Sequence, residues 1–212
     1  MVTKRIPVFI SRSATWLGLM VAFAFLTGCA TSTRNSIRSF DTVVIDAGHG
    51  GKDRGATKHG VQEKDVALDV VRRLERHLKD AGYKTVMTRR SDVFIELNDR
   101  AAISNRYRDA VFVSVHFNYG RRHAKGAEAF YYSGPGKIMA DAMGSKLGRI
   151  TEYRGSKKSK FRVLKLNRNP AVLVECGFLT NPRDAARAKS ELHREKLADA
   201  MFDALRTVRG KR

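Results

Sequence analysis

Residues 42–55 read TVVIDAGHGGKDRG, an apolar run that breaks into glycines around a single histidine. A strand ending in so glycine-rich a loop brings its backbone close to something, and the two candidates are a phosphate and a metal ion. The phosphate loop of nucleotide-binding proteins needs glycine, four residues, then Gly-Lys-Ser/Thr. Here Gly51-Lys52 has Asp46 at the first position and Asp53 at the last, so both ends fail. The dinucleotide pattern G-x-G-x-x-G starts at Gly48 and Gly50 but meets Asp53 where it needs glycine. Carboxylates on both flanks repel a pyrophosphate and suit a cation. His49 is left as the residue to explain.

Outward from this loop, strand and helix patterns alternate. Residues 42–46 form a buried strand, and Val66, Val70, Val71, Leu74 and Leu78 fall at helical spacing before Gly82. Strands are expected at 83–89, 110–117, 126–132, 161–166 and 171–178, and helices at 97–107, 137–150 and 191–207. The order predicts one α/β domain, helices packed on a largely parallel sheet, with no repeat or second domain.

The first 28 residues stand apart. Lys4, Arg5 and Arg12 precede an uncharged stretch, WLGLMVAFAFLTGC, whose apolar part is shorter than the roughly 20 residues of a permanent span. It reads as a signal peptide. Leu26-Thr27-Gly28-Cys29 resembles the bacterial lipobox, which implies cleavage before Cys29 and a lipid on its thiol. Ala30 in place of aspartate then favours the outer membrane in an organism that has one, and residues 29–40 serve as a polar tether to a catalytic domain at 41–212. With Cys29 lipidated, Cys176 is the single remaining thiol and no intrachain disulfide can form.

The formal charge is +20; removal of the three basic residues before Cys29 leaves +17. Such a chain is drawn to polyanions, and an exported protein meets anionic lipid and cell-wall polymers before nucleic acid. The densest basic cluster, RGSKKSKFRVLKLNR at 154–168, is either a solvated face or a polyanion contact, and its few aromatics give no platform for base stacking. No nucleic-acid partner is expected.

Active sites of open α/β sheets form beyond the carboxyl ends of the strands. Four polar residues fall there: His49 after the first strand, His116 at the end of FVSVHF, Glu175 at the end of AVLVE, and Glu63 just before the first helix. Two imidazoles and one carboxylate are the ligand set of a catalytic zinc that keeps its fourth position for water. Glu63, in the sequence EKD, also fits a helix-terminal acid.

In order along the chain, DAGHGGKDRGA, VQEKDVALDVVRRLERHL, TRRSDVFIELNDRAAISN, FVSVHFN and PAVLVECGFLTNPRD resemble the zinc-dependent N-acetylmuramoyl-L-alanine amidases of the type-3 class. The resemblance runs from about Thr42 to Ala200. It implies a six-stranded twisted sheet with helices on both faces, and one zinc ion per chain held by His49, Glu63 and His116, with Glu175 as the catalytic carboxylate. It implies peptidoglycan as substrate, cut between N-acetylmuramic acid and L-alanine of the stem peptide. Asp46 is a candidate to orient a metal-bound imidazole or, equally, to cap the loop. Arg54 stands where the family often has proline, and Phe117 where it has a small residue, set to narrow the substrate groove. Members that need an activator protein carry a long insertion near residues 132–137; here SGPG alone fills that place, so no activator is expected.

Rival readings are weaker. There is no H-E-x-x-H helix, and Cys176 alternates with Glu175 along a strand and so points to the other face. A non-catalytic wall-binding lipoprotein would lack a ligand or Glu175, and all four residues are present. For the anchor, Cys29→Ser is expected to abolish labelling by a fatty-acid probe and leave the signal uncut.

Overall fold

The computed structural model describes residues 1–3, 37 and 39–210. The chain divides into two units, Met1–Ser32 and Thr33–Arg212, and the architecture below belongs to the second. The expected signal peptide beyond residue 3, Cys29 and most of the expected tether lie outside the described residues. Among the described residues, no helix is long and apolar enough to cross a membrane.

The elements run β1 (Thr42–Ala47), β2 (Thr57–Lys58), β3 (Val61–Gln62), α1 (Glu63–Asp80), β4 (Lys84–Met87), α2 (Leu97–Asn105) and β5 (Ala110–Asn118). They continue with β6 (Ala127–Tyr131), α3 (Gly134–Leu147), β7 (Tyr153–Lys158), α4 (Arg162–Lys165), β8 (Ala171–Phe178), α5 (Pro182–Lys189) and α6 (Glu191–Val208). Six strands form one sheet in the order β4-β1-β5-β8-β6-β7. β4, β1, β5 and β8 are parallel, β6 is antiparallel to β8, and β7 is parallel to β6. The α/β class and the six-stranded, mostly parallel sheet are as the sequence predicts.

Alternation along the strands sends successive side chains to opposite faces. Val43 and Ile45, Val111, Val113 and Val115, and Val172 and Val174 join α1, α3 and α6 in the larger core. Val44, Phe112 and Leu173 face the other way, against Val163 and Leu164 of α4, in a smaller cluster. The periodic residues Val66, Val70, Val71, Leu74 and Leu78 of α1 are all buried. The second face is covered chiefly by α2 and α4, and this lighter cover leaves room for a cleft above the carboxyl ends of β1, β5 and β8.

Two expectations are corrected. Residues 161–166 are not a strand: residues 162–165 form the short helix α4, whose Val163 and Leu164 are both buried. The sixth strand is instead β7, YRGSKK. It lies at the sheet edge with β6 as its one neighbour, so it needs no apolar run, and its lysines discourage further strand pairing. The domain also begins before the expected residue 41. Ile37 bridges to Arg209 beside the end of α6, and Ile37 and Phe40 are both buried in the core.

The short helix α5 and the β2–β3 hairpin are not among the expected elements, although α5 buries Ala185 and Ala188 at helical spacing. Asn181 caps α5 by accepting from the Arg183 and Asp184 amides, with Pro182 in its first turn. Helix α3 starts three residues before the expected 137, because Ser133 accepts from the Gly136 amide and Pro135 fits the first turn.

Candidate metal centre

The site begins with one carboxylate. Glu63 opens α1, yet its side chain does not cap the helix: Oε2 accepts from the Ala56 amide at 2.7 Å, and Oε1 accepts from the Phe117 amide at 3.0 Å. The same Oε1 meets His116 Nδ1 at 2.8 Å and His49 Nε2 at 3.0 Å. Glu63 is 4% exposed. Burial works against its ionised form, but the hydrogen bonds and charge of His116 and His49 prevail and hold its pKa far below the carboxylate range.

His49, Glu63 and His116 thus place two imidazole nitrogens and a carboxylate oxygen within 4.8 Å of one another, a set able to hold a metal ion. Nitrogen and oxygen donors in a two-histidine, one-glutamate set suit zinc.

The glycines explain themselves here. A Cβ on Gly48 would lie 2.3 Å from the His116 ring, and one on Gly55 2.5 Å from Glu63 Oε2. The loop approaches His116 and Glu63 too closely for a side chain at Gly48 or Gly55, which answers why the first strand ends as it does. His49 itself has φ of 59°, a left-handed conformation costly for a non-glycine residue. Two arginines hold it there. Arg100 donates to the carbonyls of His49 (2.8 Å) and Ala47 (2.6 Å), and Arg89 donates to those of Gly48 (2.8 Å) and Ala47 (3.0 Å).

Asp46 does not orient an imidazole. It is fully buried, and its oxygens accept from Thr88 (2.6 Å), Ser114 (2.6 Å) and Arg100 (2.8 Å). Burial raises its pKa, but Arg100 and the two hydroxyls outweigh it and keep the carboxyl ionised. Asp46 anchors Arg100, and through Arg100 the loop. The residue that orients His49 is Asp53, whose Oδ2 accepts from His49 Nδ1 at 2.8 Å while Oδ1 accepts from the Gly55 amide. Its only sequence signal is its place four residues after His49. Burial alone would lower the His49 pKa; Glu63 and Asp53 raise it instead. Protons therefore compete with a metal for this ring, and metal binding weakens as pH falls through that raised value.

Glu175 lies on β8 in register with His116 of β5 and with Glu128 of β6. Its Oε2 is buried and has no hydrogen-bond partner. Burial, aided by Glu63 and Glu128, pushes its pKa well above the ordinary carboxylate value. A cation at the adjacent triad opposes that shift. Beside it opens a cleft of about 470 Å³, lined by His49, His116 and Glu175 with the apolar Phe94, Leu97 and Phe161. Phe117 does not narrow this cleft. It points to the opposite face and is 2% exposed in the larger core. Cys176 is buried on that face too.

A mostly parallel α/β sheet carrying a His-Glu-His centre and an open buried carboxylate at its strand ends defines a metal-dependent hydrolase. The chain belongs to the N-acetylmuramoyl-L-alanine amidase family, whose model matches residues 43–207. It is similar to the uncharacterized protein YqiI of Bacillus subtilis, 37% identical over 170 residues that cover 77% of this chain and 82% of that protein. Among solved structures it resembles the amidase AmiC2 of Nostoc punctiforme, at 35% identity and TM-score 0.75, covering 77% of this chain and 94% of that one. An amidase from Clostridium difficile 630 matches at 31% identity and TM-score 0.75, covering 79% and 95%.

The two aspartates separate by measurement. Asp53→Asn is expected to weaken zinc binding about 10- to 100-fold in a chelator competition while leaving the unfolding midpoint nearly unchanged. Asp46→Ala strands the buried Arg100 and is expected to cost about 3–5 kcal/mol in chemical denaturation.

Proposed function

We propose that the protein hydrolyses peptidoglycan at the amide between N-acetylmuramic acid and L-alanine of the stem peptide, with one zinc ion held by His49, Glu63 and His116. The observation that carries this reading is the convergence of both imidazoles on Glu63 Oε1 beside a buried Glu175 oxygen that nothing else occupies. When bound, zinc supplies Lewis acidity, polarising the amide carbonyl and making water easier to deprotonate.

The remaining work falls to the chain. Glu175 Oε2 accepts the proton of the attacking water and returns it to the leaving alanine nitrogen. Its buried setting favours the base strength that this exchange requires. Asp53 holds the His49 ring, and the Asp46–Arg100 pair holds the backbone that carries it. The apolar lining of the cleft displaces bulk water around the reacting groups.

We further propose that the enzyme acts at the cell envelope, anchored by lipid on Cys29, and without an activator protein. β6 leads into α3 through Tyr132 and Ser133 alone, and the connection that leaves the site end of β5, residues 119–126, contains no helix. Neither segment supplies a plug for the cleft.

The test is digestion of purified cell walls by the purified chain alone, with products identified by mass spectrometry. Stem peptides with a free alanine amine and unbroken glycan strands are expected, with loss of activity in chelator and recovery on adding zinc. Sugar-chain cleavage, or activity indifferent to chelator, would overturn the reading. Activity that appears only on adding a second protein would overturn its activator-free part.

A further inference from the structure

The register that places Glu175 beside His116 continues across the sheet. Glu128 of β6 is the next residue in this row, and beyond it lies β7 with Arg154 and Lys157. Glu128 is 4% exposed, and three donors reach its carboxylate: Asn118 Nδ2 at 2.8 Å, Arg154 Nε at 3.4 Å, and Lys157 Nζ in a close contact.

The charge count is uneven. Two cations serve one carboxylate, leaving a net positive charge at the open edge of the sheet. The donor count is uneven too. A lysine ammonium has three N–H donors and an arginine five, and each side chain spends one on Glu128. Their side chains are 43% and 34% exposed, and the rest of each is held by rings: Lys157 over Phe130 and Arg154 over Phe178. They are partly exposed cations fixed in position with unspent donors, Arg154 beside Glu128 in the row of the general base and Lys157 two residues farther along, opposite Phe130.

The bond being cut is asymmetric in the matching sense. Muramic acid has one carboxyl group, and it is consumed in the amide, so the glycan half presents no free carboxylate there. The peptide half carries a carboxylate at each acidic residue or C-terminus that is neither amidated nor cross-linked. The cations stand about 10 Å from Glu175, two strand spacings, which is the reach of about three extended residues.

We infer that Arg154 and Lys157 form a carboxylate-binding subsite that receives the acidic stem peptide as it leaves Glu175, so that the peptide lies across β6 and β7 and the glycan over the apolar side of the cleft. This rests on the amidase reading. Glu128 has a second role in it: it holds the two cations in place and reduces their attraction for the peptide.

Binding of the released peptide needs no turnover, so it tests the subsite separately from the reaction. An alanyl-led tripeptide with free carboxylates, and the same tripeptide fully amidated, are titrated into the zinc-loaded chain by NMR. The acid is expected to bind about tenfold more tightly, the scale of one charge-assisted contact. Lys157→Met should reduce this preference several-fold. Glu128→Gln keeps the side-chain size, frees both cations, and should increase the preference, a gain that misfolding cannot imitate. Equal binding of acid and amide by the wild-type chain, or a preference unchanged in Glu128→Gln, would overturn the subsite.

Discussion

Everything at the carboxyl end of this sheet turns on a single oxygen. Glu63 Oε1 is buried and meets His49, His116 and the Phe117 amide at 2.8–3.0 Å. A buried carboxylate is stable only when its charge is matched, so the three elements that supply these groups are held to one geometry. β1 must end where His49 can turn back, β5 must present His116 in register with Glu175, and α1 must begin at Glu63. A cation in the same place satisfies all three ligands at once, which is why a site that looks like an ion-pair cluster is suited to a metal.

Keeping the loop in position is a separate problem, solved by buried arginines. The backbone around the left-handed His49 leaves the regular strand, and the carbonyls of Ala47, Gly48 and His49 need donors. Arg100 and Arg89 provide them from α2 and from the end of β4, and Asp46 neutralises Arg100 at the base. The molecule therefore uses the two aspartates differently: Asp46, near the end of β1, supports the backbone and Asp53, in the loop, the imidazole.

Much of this was legible in the sequence, and the failures have physical causes. β1, β5 and β8 read clearly because they are central strands buried on both faces and so nearly continuous in apolar residues. β7 did not, because an edge strand with one neighbour tolerates glycine and lysine. Residues 161–166 carry apolar residues at spacings that suit either strand or helix, and only their packing under Leu173 decides. The four site residues could be placed at strand and helix ends from order alone. Which aspartate faces the ring could not, since this depends on the left-handed turn at His49. Strand parity sends Phe117 to the core face, as it does Cys176, and this outweighs its place beside His116.

The proposed function divides the labour of the site, with His49, Glu63 and His116 holding metal and Glu175 moving the proton. It is tested most directly by measuring zinc content and amidase rate on the same preparations of Glu175→Gln, His49→Ala and His116→Ala. Glu175→Gln is expected to retain about one zinc per chain while its rate falls about 10²- to 10⁴-fold, and both histidine variants are expected to lose metal and activity together. Loss of zinc from Glu175→Gln would make Glu175 a ligand, and full activity in that variant would contradict the mechanism.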